Sequence, residues 1–195
     1  LALLLRSGAL PAPLEVLEER TVGAGLGSDS IREGITASII GLIAVIVFMV
    51  LAYGLFGIFT TVTVLMNLFL MLGALSFMGA TLTLPGIAGI ILTIGMAVDA
   101  NVLIFERMRE EVKNGRSTKD AAEAGFTEAW GTIVDSNLTT LVAAFVLFYF
   151  GTGPVRGFAV TLAIGIATSM FTSVTVTRLI IASWLNKYKP TKLPI

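Results

Sequence analysis

The chain has 195 residues, 55% of them hydrophobic and only 13% charged, with a formal net charge of zero and a mean hydropathy of +0.91. It is far more apolar than a typical soluble domain, and residues 34–98 contain no Lys, Arg, Asp or Glu. A soluble fold needs charged surface in a stretch of that length, whereas a bilayer supplies an apolar solvent. The composition therefore predicts an all-α polytopic membrane protein and disfavours a soluble helical one.

Several classes of chemistry are excluded by the residues that are missing. The balanced charge gives no basic surface for nucleic acid, and the absence of Cys and His excludes disulfides, thiol chemistry, His-based metal sites and Ser–His nucleophiles. No G-x-x-x-x-G-K-[ST] run for ATP phosphates is present. We therefore predict no enzymatic activity, no catalytic residue and no metal or cofactor. Any proton relay has to be built from carboxylates.

Residues 1–33 differ from the rest of the chain. The segment 14–22 has the mixed apolar and charged pattern of a β-strand, and a glycine-rich loop follows it. The chain lacks a start Met. We interpret residues 1–33 as the end of a soluble domain with its linker, and the whole as a fragment of a longer chain.

Residues 34–186 are predicted to form a transmembrane bundle, and residues 187–195 a tail. Each apolar segment is close to the roughly 20 residues that cross a bilayer. The predicted spans are residues 35–53, 56–77, 85–105, 132–150 and 155–176.

Aromatic and basic residues support these boundaries. Every Trp and Tyr falls at a predicted span end, where interfacial anchors belong: Tyr53, Trp130, Tyr149, Trp184 and Tyr188. With residues 1–33 outside, nine Lys and Arg lie in inner segments and four in outer ones. The positive-inside rule therefore predicts an outside start and an inside C-terminus.

The inner loop, residues 106–130, is predicted to be mostly helical and amphipathic. Ser117 with Asp120 forms a pattern typical of a capping box before an apolar run. We expect a helix along the membrane surface, and the alternative is a contact for a cytosolic partner.

Two acidic residues lie within the predicted spans. Asp99 is about six residues, roughly 9 Å, from the inner end of the third span, and Asp135 is about one turn inside the fourth. A carboxylate at depth costs on the order of 3 kcal/mol unless it is buried against protein, hydrated, paired or neutral. Asp99 is therefore the main candidate for a proton relay, and Asp135 a second candidate that exposure alone would also explain.

The neighbours of these acids are small or polar. Asn101, Asn137 and Thr140 are candidate supporting donors, while Gly95, Gly165 and Ser169 are candidate helix-packing positions. Helix packing alone would explain the small residues. Helix packing does not explain a carboxylate among these residues. An acidic residue inside a span suggests that the protein takes energy from an ion gradient.

Two long runs make the pattern specific. The runs Gly86–Glu111, which contains Gly-Met-Ala-Val-Asp-Ala-Asn, and Gly151–Ile166 resemble the SecD family of protein-export membrane proteins. The segment 5–13 and the run Gly25–Ile31 are similar to the end of that family's first periplasmic domain. The resemblance covers essentially the whole chain.

The resemblance implies a place and a role. The chain would be spans two to six of a six-span protein of the bacterial inner membrane, within the resistance-nodulation-division superfamily. The expected partners are a SecF-like membrane subunit, the SecYEG channel and an exported polypeptide, with export driven by the proton-motive force. Asp99 would match the carboxylate needed for proton passage, and Asp135 a secondary site. The alternatives are a proton-driven exporter of small molecules or lipids from the same superfamily, and a non-transporting scaffold subunit.

The topology is testable because the chain has no Cys. Single cysteines at positions 28, 117 and 191 can be treated with an impermeant thiol reagent on intact cells. We expect labelling at position 28 only, with labelling at 117 and 191 after the membrane is opened. Labelling of position 117 from outside would contradict the predicted orientation.

Overall fold

The computed structural model of the protein describes residues 24–80, 83–191 and 193–194, with side chains from residue 29 onward. Throughout this part the regular structure is helical. The elements are α1 (Ala24–Tyr53), α2 (Leu55–Phe77), α3 (Leu84–Lys113), α4 (Thr118–Phe150), α5 (Pro154–Phe171), a π-helical turn (Thr172–Val176) and α6 (Thr177–Tyr188).

The prediction of an all-α bundle with five spans is confirmed. Five helical stretches in the described residues are long and apolar enough to cross a membrane, with α5, the π-helical turn and α6 forming one of them. Helix α1 begins at Ala24, within the segment that we interpreted as a linker. The β-strand predicted at residues 14–22 lies outside the described residues.

Residues 106–130 form the ends of two long helices instead of a separate helix along the membrane surface. Helix α3 continues to Lys113, a turn with Gly115 at φ 86° follows, and α4 then runs unbroken to Phe150. The predicted cap at Ser117 is present, since its Oγ accepts a hydrogen bond from the Asp120 N–H at 3.3 Å. The start of α4 packs closely on α3 because residue 125 is a glycine. A Cβ at this position would overlap the Met108 side chain and lie 3.1 Å from the Ile104 carbonyl oxygen.

Helix α3 occupies the centre of the bundle. Of the 18 most apolar consecutive residues in each helix, 56% are buried in α3, 6% in α1 and 17% in α4. Its most extensive contacts are with α5 and α4. The large exposed apolar surfaces of α1 and α4 are those expected of helices that face lipid or another membrane protein.

Helices α3 and α5 meet along a seam of small and polar residues. A Cβ at Gly89 would lie 3.2 Å from Thr161 Cγ2, and a Cβ at Gly165 would lie 2.9 Å from Thr93 Cβ. Both glycines are buried. Gly165, which the sequence marked for helix packing, lies on this seam, and the backbones approach closely where its side chain is absent. Ser169, also marked for packing, is buried one turn later on α5.

Arg107, Arg109 and Lys113 lie near the C-terminal end of α3, which we call the basic end of the bundle. Aromatic rings there pack α1 and α2 against α3. The rings of Tyr53 and Phe56 lie 5.5 and 5.3 Å from that of Phe105, and Trp184 closes the cluster 5.9 Å from Phe56. Gly54, at φ 54°, lets the chain reverse between α1 and α2. Two of the aromatic anchors predicted at span ends, Tyr53 and Trp184, therefore also belong to a packed cluster.

We expect the substitution Gly165→Ala to destabilise the bundle. Its Cβ would overlap Thr93, and overpacking of this kind costs about 1–3 kcal/mol. Gly41→Ala is the matched control, because nothing lies within 4 Å of a Cβ there and the gain in helix propensity is similar. Thermal unfolding of the full-length protein in detergent should show a lower midpoint for Gly165→Ala only. Equal midpoints for the two variants would contradict the close packing of this seam.

Candidate functional site

Asp99 lies in a cleft between α3 and α4. The cleft has a volume of about 210 Å³, and Asp99 is exposed within it. Polar side chains of α4 face Asp99 across the cleft. The full lining is Met96, Asp99, Ala100, Leu103, Thr132, Ile133, Ser136, Asn137 and Thr140.

The predicted supporting residues Asn137 and Thr140 are both part of this cleft. Asn137 is largely buried, and its Nδ2 donates to the Ile133 carbonyl at 2.7 Å, while the Thr140 hydroxyl donates to the Ser136 carbonyl at 3.1 Å. These bonds to their own helix orient the two side chains. A second amide N–H and the hydroxyl lone pairs remain available for water or a proton-carrying group.

Asn101 occupies the opposite side of α3 from Asp99. It is fully buried, donates from Nδ2 to the Ala97 carbonyl at 3.1 Å, and accepts from the Thr177 hydroxyl at 2.9 Å. The structure therefore brings Asn137 and Thr140 to Asp99 but places Asn101 in the seam with α5 and α6.

Asp135 and Gly95 also lie apart from the packed interior. Asp135 is exposed on α4 and does not line the Asp99 cleft. Gly95 is exposed one turn from Asp99, and within the described part of the chain no atom lies within 4 Å of an ideal Cβ there. A packing role for Gly95 thus stays a prediction that needs a helix from another chain or segment.

A π-helical turn lies behind Asp99. Within it the Ser173 hydroxyl donates to the Ala97 carbonyl at 3.2 Å, and Thr177 directly after it binds both Asn101 and the Thr172 carbonyl. Such turns are rare and often mark functional sites. Hydroxyl side chains that compete for backbone carbonyls favour the irregular turn, and sequence pattern alone did not reveal it.

A polar cluster lies two turns beyond Asp99, toward the basic end of α3. The Tyr53 hydroxyl donates to Glu106 Oε1 at 2.9 Å, and Arg109 Nη1 donates to the same oxygen at 2.7 Å. The Arg109 guanidinium also stacks on the Tyr53 ring at 5.2 Å. This cluster joins the end of α1 to the helix that carries Asp99.

Thr177, Ser136 and Glu106 are among the residues missing from the predicted site, although the first two left a signal in the sequence. Thr177 continues the spacing of four residues from Thr161 through Gly165, and Ser136 stands in the polar start of the fourth span. Glu106 was treated only as the first residue after a span. Its contact with Tyr53 joins positions 53 residues apart, which no local pattern predicts.

Comparison with known proteins gives one consistent family. The family model described as "Protein export membrane protein SecD/SecF, C-terminal" matches residues 8–187. The chain is 57% identical to the "Protein translocase subunit SecD" of Koribacter versatilis over 97% of its length, and 54% identical to that of Rickettsia prowazekii over 99%. It covers only 35% and 37% of those two relatives.

Solved structures agree with the sequence comparison. SecDF from Thermus thermophilus, described as a translocon-associated membrane protein, aligns with a TM-score of 0.88 at 45% identity, covering 97% of this chain and 26% of that one. SecDF in a super-membrane-facing form aligns with a TM-score of 0.80 at the same identity, covering 96% of this chain and 26% of that one. The family model, the relatives and the matching five-span bundle show that the chain belongs to the SecD/SecF family of protein-export membrane proteins.

Proposed function

We propose that this chain is the membrane-embedded part of a Sec translocase subunit that uses the proton-motive force to assist protein export across a bacterial inner membrane. Family membership supports the export role, and one observation supports the coupling. Asp99 places a carboxylate inside a membrane span, in a cleft lined by hydroxyl and amide groups. In this proposal Asp99 carries the proton, and Asp135 is a secondary site.

The chemistry of the cleft suits reversible proton binding. Among the described residues that line it, none carries a positive charge, and none of the ion pairs found among the described residues includes Asp99. Ser136, Asn137 and Thr140 offer neutral groups that hydrogen-bond either charge state of a carboxyl group. A single proton moving across 100 mV releases about 2.3 kcal/mol, enough for a modest stoichiometry to drive a conformational cycle.

The exposed side of α3 supports a partner bundle. Gly95 and Asp99 are both exposed on this side, although a carboxylate in contact with lipid is costly. A second helical bundle packed here would shield Asp99 and bring its own polar groups into the cleft. We propose a SecF-like subunit or domain as that partner, with the SecYEG channel and the exported polypeptide as the other components.

Conformational change is supported by the uneven packing around α3. The seam with α5 is closed by small residues and continues into a direct hydrogen bond with α6, whereas the Asp99 cleft toward α4 is open. Small helix movements at the cleft would open and close access to Asp99 without breaking the seam. The orientation we propose, with the basic end in the cytoplasm, would make the Glu106 cluster the inner end of the route.

The two alternative functions make different demands on the chain. A non-transporting scaffold would tolerate Asn at position 99, because an amide occupies nearly the same volume as a carboxylate. A small-molecule or lipid exporter would need Asp99 but would not stimulate protein translocation. Assays of protein export and of the proton gradient in the same vesicles therefore separate all three.

We expect Asp99→Asn in the full-length protein to abolish the proton-gradient-dependent part of protein translocation. The amide keeps the shape of the side chain but cannot carry a proton. Assembly with the partner and ATP-driven translocation should persist, since neither requires a proton at this position. The measurement is translocation of a secretory protein into membrane vesicles, with and without a proton gradient, at equal amounts of assembled subunit.

Asp135→Asn and Thr140→Val serve as comparison variants. Asp135 lies outside the cleft, so its variant should retain most of the gradient-dependent translocation. Thr140→Val removes one cleft hydroxyl at constant volume and should reduce the stimulation severalfold without abolishing it. If Asp99→Asn still gives the parent's stimulation, the proposed proton role is wrong.

A further inference from the structure

We propose that a groove between the first half of α4 and the chain segment from the π-helical turn through α6 binds the phosphate of an anionic glycerophospholipid, with Arg178 and Lys119 as the cationic ligands. This site shares no residue with the Asp99 cleft. It is independent of the proposed proton cycle.

The groove combines two cations with an apolar floor. Its main part has a volume of about 190 Å³, with Lys119 and Arg178 on its walls and Phe126, Ile181 and Leu185 among its apolar residues. A phospholipid presents a charged phosphate next to a glycerol and the first methylene groups of its acyl chains. The groove offers complementary chemistry to both parts.

A second hollow extends the groove beside Trp130. It has a volume of about 320 Å³, shares Phe126 and Arg178 with the main groove, and adds Trp130 and Val174. Trp130 is 47% exposed. Tryptophan is enriched at the level of lipid headgroups, where its ring stays apolar and its N–H can donate. The surface of the groove therefore has the composition of a membrane interface.

The depth of Arg178 calls for an anionic partner. The structure places Arg178 deeper than the predicted end of the fifth span at residue 176. Thr177, directly before it, bonds to Asn101, which lies five residues, or about 7.5 Å, before Glu106 at the inner end of the third predicted span. Arg178 is nevertheless exposed, with its guanidinium over the Phe126 ring at 5.9 Å. Among the described residues, no carboxylate oxygen lies within 4.0 Å of the Arg178 guanidinium, the distance at which an ion pair would form.

A lipid phosphate is the anion available at that depth. An arginine just inside the apolar region is stabilised when its side chain extends to a phosphate, and guanidinium groups bind phosphate through paired N–H donors. Basic pockets between transmembrane helices are typical sites for anionic headgroups. Glu123 also lines the groove and opposes the two cations, which predicts that its removal strengthens binding.

The test uses the full-length protein with its partner subunit, purified in detergent and titrated with phosphatidylglycerol or with phosphatidylcholine of the same acyl chains. Native mass spectrometry counts the lipids retained per complex. We expect Arg178→Gln to retain one phosphatidylglycerol fewer than the parent, with the apparent Kd of that molecule raised about tenfold. Glu123→Gln should lower that Kd severalfold, and phosphatidylcholine should not occupy the site.

Arg107→Gln is the matched control. It removes the same charge at the same end of the bundle, but Arg107 is paired with Glu110 at 2.8 Å and lies outside the groove. It should retain phosphatidylglycerol as the parent does. Lys119→Gln, which changes an exposed side chain, gives a second reading if Arg178→Gln fails to fold, with an expected rise in Kd of about threefold.

Three results would overturn the proposal. One is phosphatidylglycerol retention by a folded Arg178→Gln, or by Lys119→Gln where Arg178→Gln does not fold, that equals the parent's. Another is equal retention of phosphatidylcholine at this site. The third is a carboxylate of the partner subunit bound to Arg178 in the assembled complex, which would make the groove a protein interface.

Discussion

The close approach of α3 to α5 determines how the rest of the bundle is arranged. In a bilayer no hydrophobic force drives helices together, so packing depends on small residues and on hydrogen bonds that leave no polar group unpaired. Gly165 provides the space for Thr93, and Thr177 satisfies the buried amide of Asn101. Residue 99 is two positions from both Ala97 and Asn101, about 200° around the helix. A seam that buries those two residues must direct Asp99 to the opposite side.

That geometry explains why the described residues cover Asp99 on one side only. Asp99 has polar neighbours on α4, but its other side is open, together with Gly95. A carboxylate left in this state within a membrane is unfavourable. The same seam that stabilises the fold therefore leaves Asp99 on the side where we propose that a partner bundle packs.

The five spans and the capped start of α4 followed from hydropathy and local sequence because both depend on neighbouring residues. The lengths of α3 and α4 could not be predicted in the same way, because hydropathy shows where a helix is apolar and not where it ends. Asn101 was grouped with Asp99 by sequence proximity, although helical periodicity separates them. Neither the π-helical turn nor the contact between Tyr53 and Glu106 could be predicted, because both arise from packing between distant segments.

The hydrogen bonds of the seam also determine how a change at Asp99 would spread through the bundle. Ser173 binds the carbonyl of Ala97 and Thr177 binds the side chain of Asn101, so the two bonds lie on either side of Asp99 along the axis of α3. Movement of α3 at this level must therefore carry the π-helical turn and α6 with it, or else expose bonded polar groups to an apolar medium. Breaking such bonds in the absence of water is the costlier course. In the proposed cycle α3, α5 and α6 consequently move as one unit, and the change in shape is concentrated at the cleft with α4.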